Sequence, residues 1–342
     1  MATISDIASK AGVSRTAVSF VLRGKDGDIR ISPATRERIR QAAAELNYVA
    51  DGRARFLRQR ASPMLGVLVD EIWASARPVL LNALSTEILG LGKEILLGVH
   101  HRDPEIAKRH VNTFRTYRTF GVVVISGSDY MDDVVIQSLI HGRQECGPCV
   151  CVSIQLPRPD VTTILVDVRG MVREFIRLMT LDGRRHLVCA GWGGRTFDFL
   201  AGMFGEELKS ARPMEGEVLR LPAEGDEVGE KGREMIQARR GKFPMGILTS
   251  NDADAVVITQ ALMDMGIRVP EEVAIVSYGS PPLMAIHCRP PITAFDSLGV
   301  LPAMARKAVE IIAQDVEANG MAREEHRFLP PLVVRKSFVP RP

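Results

Sequence analysis

Between residues 63 and 342 short apolar runs alternate with longer amphipathic ones, and that rhythm leaves few folds open. "MLGVLVDEI" (64–72), "EILLGVHH" (94–101), "GVVVISG" (121–127) and "CVCVSI" (149–154) read as buried strands. Helical segments over residues 80–92, 104–117 and 132–141 separate them. A second series begins after Asp167, with strands "HLVCAG" (186–191), "EVLRL" (217–221), "MGILTS" (245–250) and "EVAIVSYG" (272–279). "ADAVVITQALMDMG" (253–266) is an amphipathic helix ended by Gly266. Strand-helix alternation of this type predicts an α/β body of two doubly wound parallel sheets in tandem. A ligand would bind in the cleft between them, outside the carboxyl ends of their strands.

Residues 1–49 have a different texture. Thr3 and Asp6 form a capping box for a first helix that runs to about Ala11, and Gly12 supplies a tight turn. Ser14 caps a second helix whose Val18, Val21 and Leu22 face inward. Its other face carries Arg15, Thr16, Ser19, Phe20 and Arg23. After the polar loop "GKDGD", Ser32 and Pro33 start a third helix with one apolar stripe of Ile39, Ala42, Ala43 and Leu46. Three short helices with a sharp turn between the first two are a helix-turn-helix pattern. The arginine-rich "DGRARFLRQR" (51–60) then leads into the body.

Charge separates the same regions. The formal net charge of +3 is a sum of opposites: residues 1–60 hold 12 Lys and Arg against 6 Asp and Glu, and the rest of the chain holds 32 against 35. A basic head on a mildly acidic body points to a polyanionic partner for the head alone. The polar opening "MATISDIASKAG" is no secretory signal, and no apolar run approaches the ~20 residues of a membrane span. A cytoplasmic chain with reduced cysteines is expected, with no membrane partner. Cys146 and Cys149 make a CxxC around Gly-Pro, but Val150 to Ile154 read as a strand, not as the helix start that stabilises a redox thiolate. No second CxxC or HxxxH accompanies it, and no phosphate loop or nucleophile elbow appears. Neither catalysis nor a cofactor is expected. His100 and His101, adjacent at a strand end, would point to opposite sides and not share a metal. A two-lobed transport binding protein is a further rival, yet it would need an export signal and no basic head.

The order of basic helix-turn-helix, arginine-rich linker and two-lobed body resembles the lactose-repressor (LacI/GalR) family of bacterial transcription regulators. The likeness is carried by "TISDIASKAGVSRTAVS", "ISPATRERIRQAAAELNY", "SNDADAVVITQALMDMGIRVPEEVAIVS", "PPIT" and "LPPLVVRKS". It implies a DNA-binding head at 1–49, a hinge helix at 50–62 and a periplasmic-binding-protein-like body at 63–342. The lobes would be 63–165 plus 295–325, and 166–294 plus 326–342. It further implies a repressor that binds a palindromic operator in double-stranded DNA as a homodimer. The second helix would lie in the major groove, with Arg15 and Thr16 on base edges and Ser19 and Phe20 one turn later. Thr3, Ser14 and Arg30 would hold phosphates. In the linker Leu57 matches the family's minor-groove wedge, with Ala54 beside it and Arg53, Arg55 and Arg58 near the backbone. The family's usual arginine is Phe20 here and its usual asparagine is Arg23, so the operator should differ at those positions. No leucine-heptad tail follows Ser337, so nothing argues for a tetramer.

The effector pocket departs further from the family. The resemblance places it at Ala76, Arg77, His100, Ser126, Arg195, Phe199, Leu248, Asn251, Tyr278 and Gly279. Relatives that bind sugars or nucleobases carry two acids after the strand ending near 278. "SYGSPP" puts Gly279 and Ser280 there, and Phe199 stands where an arginine is usual. Arg195 is the nearby candidate to compensate. Asn251 and Asp252 match cleft positions, although Asp252 also reads as the cap of the next helix. Losing two carboxylates and gaining Arg77 near His100 and His101 makes the cleft more positive. That favours an anionic or non-sugar effector. A degenerate pocket with Arg77 merely solvated is the alternative.

Overall fold

The computed structural model describes residues 2–22, 31–48, 62–72, 76–126, 131–153, 160–193, 195–221, 233–234, 236–279, 282–318 and 323–340. Its contacts separate two units, Met1–Arg60 and Ala61–Pro342.

In the first unit the caps expected from the sequence set the helix starts. Thr3 Oγ1 accepts the Asp6 amide at 3.3 Å and Asp6 accepts the Thr3 amide at 2.8 Å, opening α1 (Ile4–Ala11). Gly12 follows at φ +64°, a left-handed conformation open to glycine without a Cβ penalty. Ser14 Oγ accepts the Ala17 amide at 3.1 Å and starts α2 (Arg15–Leu22). Ser32 accepts the Thr35 amide at 3.2 Å, with Pro33 at the first position of α3 (Pro33–Glu45). Ile7, Val18 and Ile39, all fully buried, make a small core with Val21, Ala42 and Ala43. Leu22 does not join it. As the last residue of α2 it stands beyond the packed middle of the helix and is 36% exposed.

The second unit contains the two sheets. β1 (Met64–Val69), β2 (Glu94–Val99), β3 (Gly121–Ser126), β4 (Cys149–Ser153) and β5 (Thr162–Val166) are parallel, in the order β5-β4-β3-β1-β2. β6 (His186–Trp192), β7 (Glu215–Leu221), β8 (Met245–Thr249), β9 (Val273–Tyr278) and β10 (Thr293–Phe295) form a second parallel set, in the order β10-β9-β8-β6-β7. The chain then returns through helix Leu301–Ala318 and lays β11 (Glu325–Phe328) beside β5. β12 (Leu332–Val333) ends in the second sheet, antiparallel to β10. Pairing of β11 with β5 continues to Phe328 opposite Val166. The last crossing therefore lies between Phe328 and Leu332, a few residues later than the 325–326 boundary expected.

One apolar core runs through both lobes. Val67, Val123 and Val152 of the first sheet belong to the same buried cluster as Cys189, Leu248 and Val276 of the second. Met304, Ala308 and Ile312 of helix Leu301–Ala318 are part of it too. Smaller cores cover the outer faces: Val111, Phe114 and Ile136 on the first sheet, Ile258 and Leu262 on the second.

A buried guanidinium ties the amino ends of the second sheet together. Arg184, 5% exposed, donates to the carbonyls of Met245 at 2.9 Å, Pro270 at 2.6 Å and Glu272 at 3.4 Å. Its Nε donates to Asp182 at 2.7 Å. β8 and β9 begin at Met245 and Val273, so this one side chain fixes both starts.

Candidate DNA-reading helix and effector site

α2 presents Arg15 and Thr16 to solvent in its first turn, with Ser19 and Phe20 half-buried one turn later. Val18 and Val21 anchor the opposite side, so the exposed face is fixed by the helix period. Arg15 also borders an open hollow of ≈ 600 Å³ whose rim includes Ser9, Gly12 and Ser14. Thr3 and Ser14, assigned to phosphates from the sequence, are exposed and double as helix caps. Arg23, Arg30, Arg53, Ala54, Arg55, Leu57 and Arg58 lie outside the described residues.

In the body His100, Asn251 and Gly279 follow the ends of β2, β8 and β9, and Tyr278 ends β9, but the environments of the expected effector residues differ from expectation. Arg77 is not a free cation. Its Nε and a terminal nitrogen donate to the two oxygens of Asp70 at 2.5 and 2.7 Å, with the side chains only 12% and 3% exposed. Asp70 directly follows β1. The apolar pattern extends that strand to residue 72 and so hides the acid that neutralises Arg77. His100, directly after β2, is buried, and burial lowers its pKa below the ordinary imidazole value. Its Nδ1 accepts the Arg102 amide at 3.2 Å. His101 is exposed, so the adjacent histidines do part company. Asp70 thus pairs the charge assigned to Arg77, and burial disfavours a charge on His100.

The second sheet brings a polar network to the same kind of edge. Asn251, not Asp252, caps helix Asp252–Asp264 by accepting the Asp254 amide at 2.9 Å. Asp252 is instead buried and accepts from Ser277 Oγ at 2.6 Å. Asp254, a residue that no sequence motif singles out, is fully buried. It accepts from Ser250 Oγ, and from Asn251 Nδ2 at 3.0 Å. Burial raises its pKa above the usual carboxylate range. A Cβ on Gly191 would come within 2.8 Å of its Oδ2, so the absent side chain makes room for the acid. Leu248 is in the core, as is Tyr278, whose hydroxyl makes no hydrogen bond to a described residue. Phe199 and Ala76 pack on that core from its rim. Gly279 takes φ +78° and donates to the Phe295 carbonyl at 3.1 Å. The side chains of Ser126 and Arg195, like Ser280 as a whole, lie outside the described residues.

The cysteine cluster is apolar filling. Cys146, Cys149, Cys151 and Cys189 are buried and unbridged. Burial pushes the Cys146 thiol up to about 11, the reverse of what a redox thiol needs. A disulfide-exchange reagent should label none of these four in the native chain and all of them after unfolding. Prompt native labelling at Cys146 would contradict this placement.

Two family models match the chain. Residues 3–51 match bacterial regulatory proteins, lacI family, and residues 201–338 match a periplasmic binding protein-like domain. The chain thus carries a lacI-family helix-turn-helix domain ahead of a periplasmic-binding-protein-like domain. Catabolite control protein A of Staphylococcus aureus is 24% identical over 81% of this chain and 82% of its own length. The HTH-type transcriptional repressor PurR of Haemophilus influenzae is 22% identical over 98% of both chains. Among solved structures, a lac repressor dimer bound to operator and the anti-inducer ONPF shares the fold. Its TM-score is 0.79, at 20% identity over 98% of each chain. These two domains make this chain a DNA-binding transcriptional regulator with a ligand-binding type of body. Among the described residues no helix is long and apolar enough to cross a membrane.

Proposed function

We propose that this protein is a repressor that binds a near-palindromic operator as a homodimer and changes its DNA affinity when a small molecule binds at the carboxyl edges of its two sheets. The observation that carries this reading is the free face of α2, where Arg15 and Thr16 stand exposed above a buried Val18 and Val21. A major-groove helix needs its first turn in that state. The dimer is supported by Leu89, Leu91 and Leu97, which are exposed at and just after the end of helix Ala76–Gly90 and along the edge strand β2. An unpaired sheet edge with apolar side chains invites a second copy. Because the family's two acids are Gly279 and Ser280, the effector is not a typical sugar.

Gel shifts with DNA from upstream of the gene's own operon test the reading. Specific binding should weaken steeply with salt, since phosphate contacts release counterions. Salt-insensitive or absent specific binding, with and without candidate effectors, would contradict it. Phe20→Arg should shift the preferred operator, exchanging an apolar contact with a thymine methyl for a guanine-pairing fork worth about 1–3 kcal/mol at that base pair. Unchanged preference across a randomised site would show that Phe20 reads nothing.

A further inference from the structure

We propose that Arg102 reads the effector, and that the effector offers it a carboxylate or phosphate; this rests on the effector site proposed above. β2 ends at Val99, and His101 and Arg102 then take φ +49° and +62° in succession. Two neighbouring residues with side chains seldom occupy the left-handed region, and such backbone strain persists only where its surroundings impose it. Here four hydrogen bonds do so. His100 donates its amide to the Val69 carbonyl at 3.0 Å and His101 donates to Asp70 at 2.9 Å. The Arg102 amide reaches His100 Nδ1 at 3.2 Å, and the Asp103 amide reaches the His100 carbonyl at 2.8 Å.

The strained turn holds up a guanidinium with unused donors. Arg102 is 57% exposed and approaches Asp70 and Glu71 no closer than 3.7 Å, too far for a hydrogen bond. Its side chain makes no hydrogen bond to a described residue. Asp70 is already held by its neighbours: Arg77 donates to both carboxylate oxygens and the Glu71 amide donates to Oδ1 at 2.9 Å. Arg77 is what a structural ion pair looks like: short, two-pronged and buried. Arg102 is its opposite, yet stands beside it at the strand end where ligands of such sheets bind. The two acids attract its charge without filling its donors, so a planar fork is left for a carboxylate or phosphate.

Melting of the full chain with inorganic phosphate, citrate, glucose 6-phosphate or uncharged glucose tests this. At least one of the three anions should raise the melting temperature, and glucose should not. Arg102→Gln should weaken that anion's binding about tenfold or more. Arg102→Gly separates reading from folding: it relieves the left-handed strain and leaves the unliganded chain at least as stable, while the anion's effect disappears. An anion shift that survives Arg102→Gln overturns the proposal. Stabilisation by glucose alone also overturns Arg102 as the reader but leaves the effector site in place. No shift with any of the four overturns both.

Discussion

Replacing Arg184 with alanine should destabilise the body by about 3–5 kcal/mol, the range for removing one partner of a buried ion pair. The loss has two parts. Asp182 stays nearly buried, 7% exposed, without the guanidinium that meets it at 2.7 Å. The Met245, Pro270 and Glu272 carbonyls also lose a donor at the starts of β8 and β9. Arg184→Lys should recover part of the loss, because an ammonium retains the charge but lacks the reach of a planar fork. Urea unfolding followed by circular dichroism reads both. A midpoint for the alanine variant close to that of the parent would show that the clamp carries no stability.

What the sequence conveys and what it conceals divide along a physical line. β1, β3, β4, β6, β8 and β9 are buried on both faces, so each is a continuous apolar run that needs no partner to be recognised. The head is legible for a related reason, since Thr3, Ser14 and Ser32 each accept from an amide only three residues away. β5 lies so close behind β4 that it breaks the strand-helix rhythm, and β11 and β12 are short pieces added from the far end of the chain. Arg184 reaches carbonyls 61 to 88 residues away, which no local pattern announces. At the effector edge the residue types are visible, but their pairing is not. Arg77 looks like a gain of positive charge because its acid, Asp70, reads as part of a strand. The second strand is likewise read two residues too long, through His101, and Arg102 then passes for the start of a plain loop.

Arg77→Ala should destabilise the body by about 3–5 kcal/mol, because it leaves Asp70 buried to 3% exposure with no cation at short range. Arg102 offsets this only in part, since its exposed side chain stands 3.7 Å from Asp70 Oδ2 and lacks the two-pronged geometry of Arg77. Replacing both partners, Asp70→Leu with Arg77→Leu, should cost much less than Arg77→Ala, as an apolar pair removes the unpaired charge. With Asp70→Leu and Arg77→Leu also measured singly, the double loss minus the sum of the two single losses is the coupling between the charges. Equal losses in both would mean that packing, not charge, holds the site. The same geometry has a consequence for regulation. On the proposed function DNA binding without effector is the work of the head, and both variants should keep it wherever the body stays folded. The response to an anion should fall in the double variant, since Asp70 no longer stands behind Arg102 and the His101–Arg102 turn loses the charge that draws the guanidinium to the strand end. A double variant with full anion response would show that the turn alone orients Arg102.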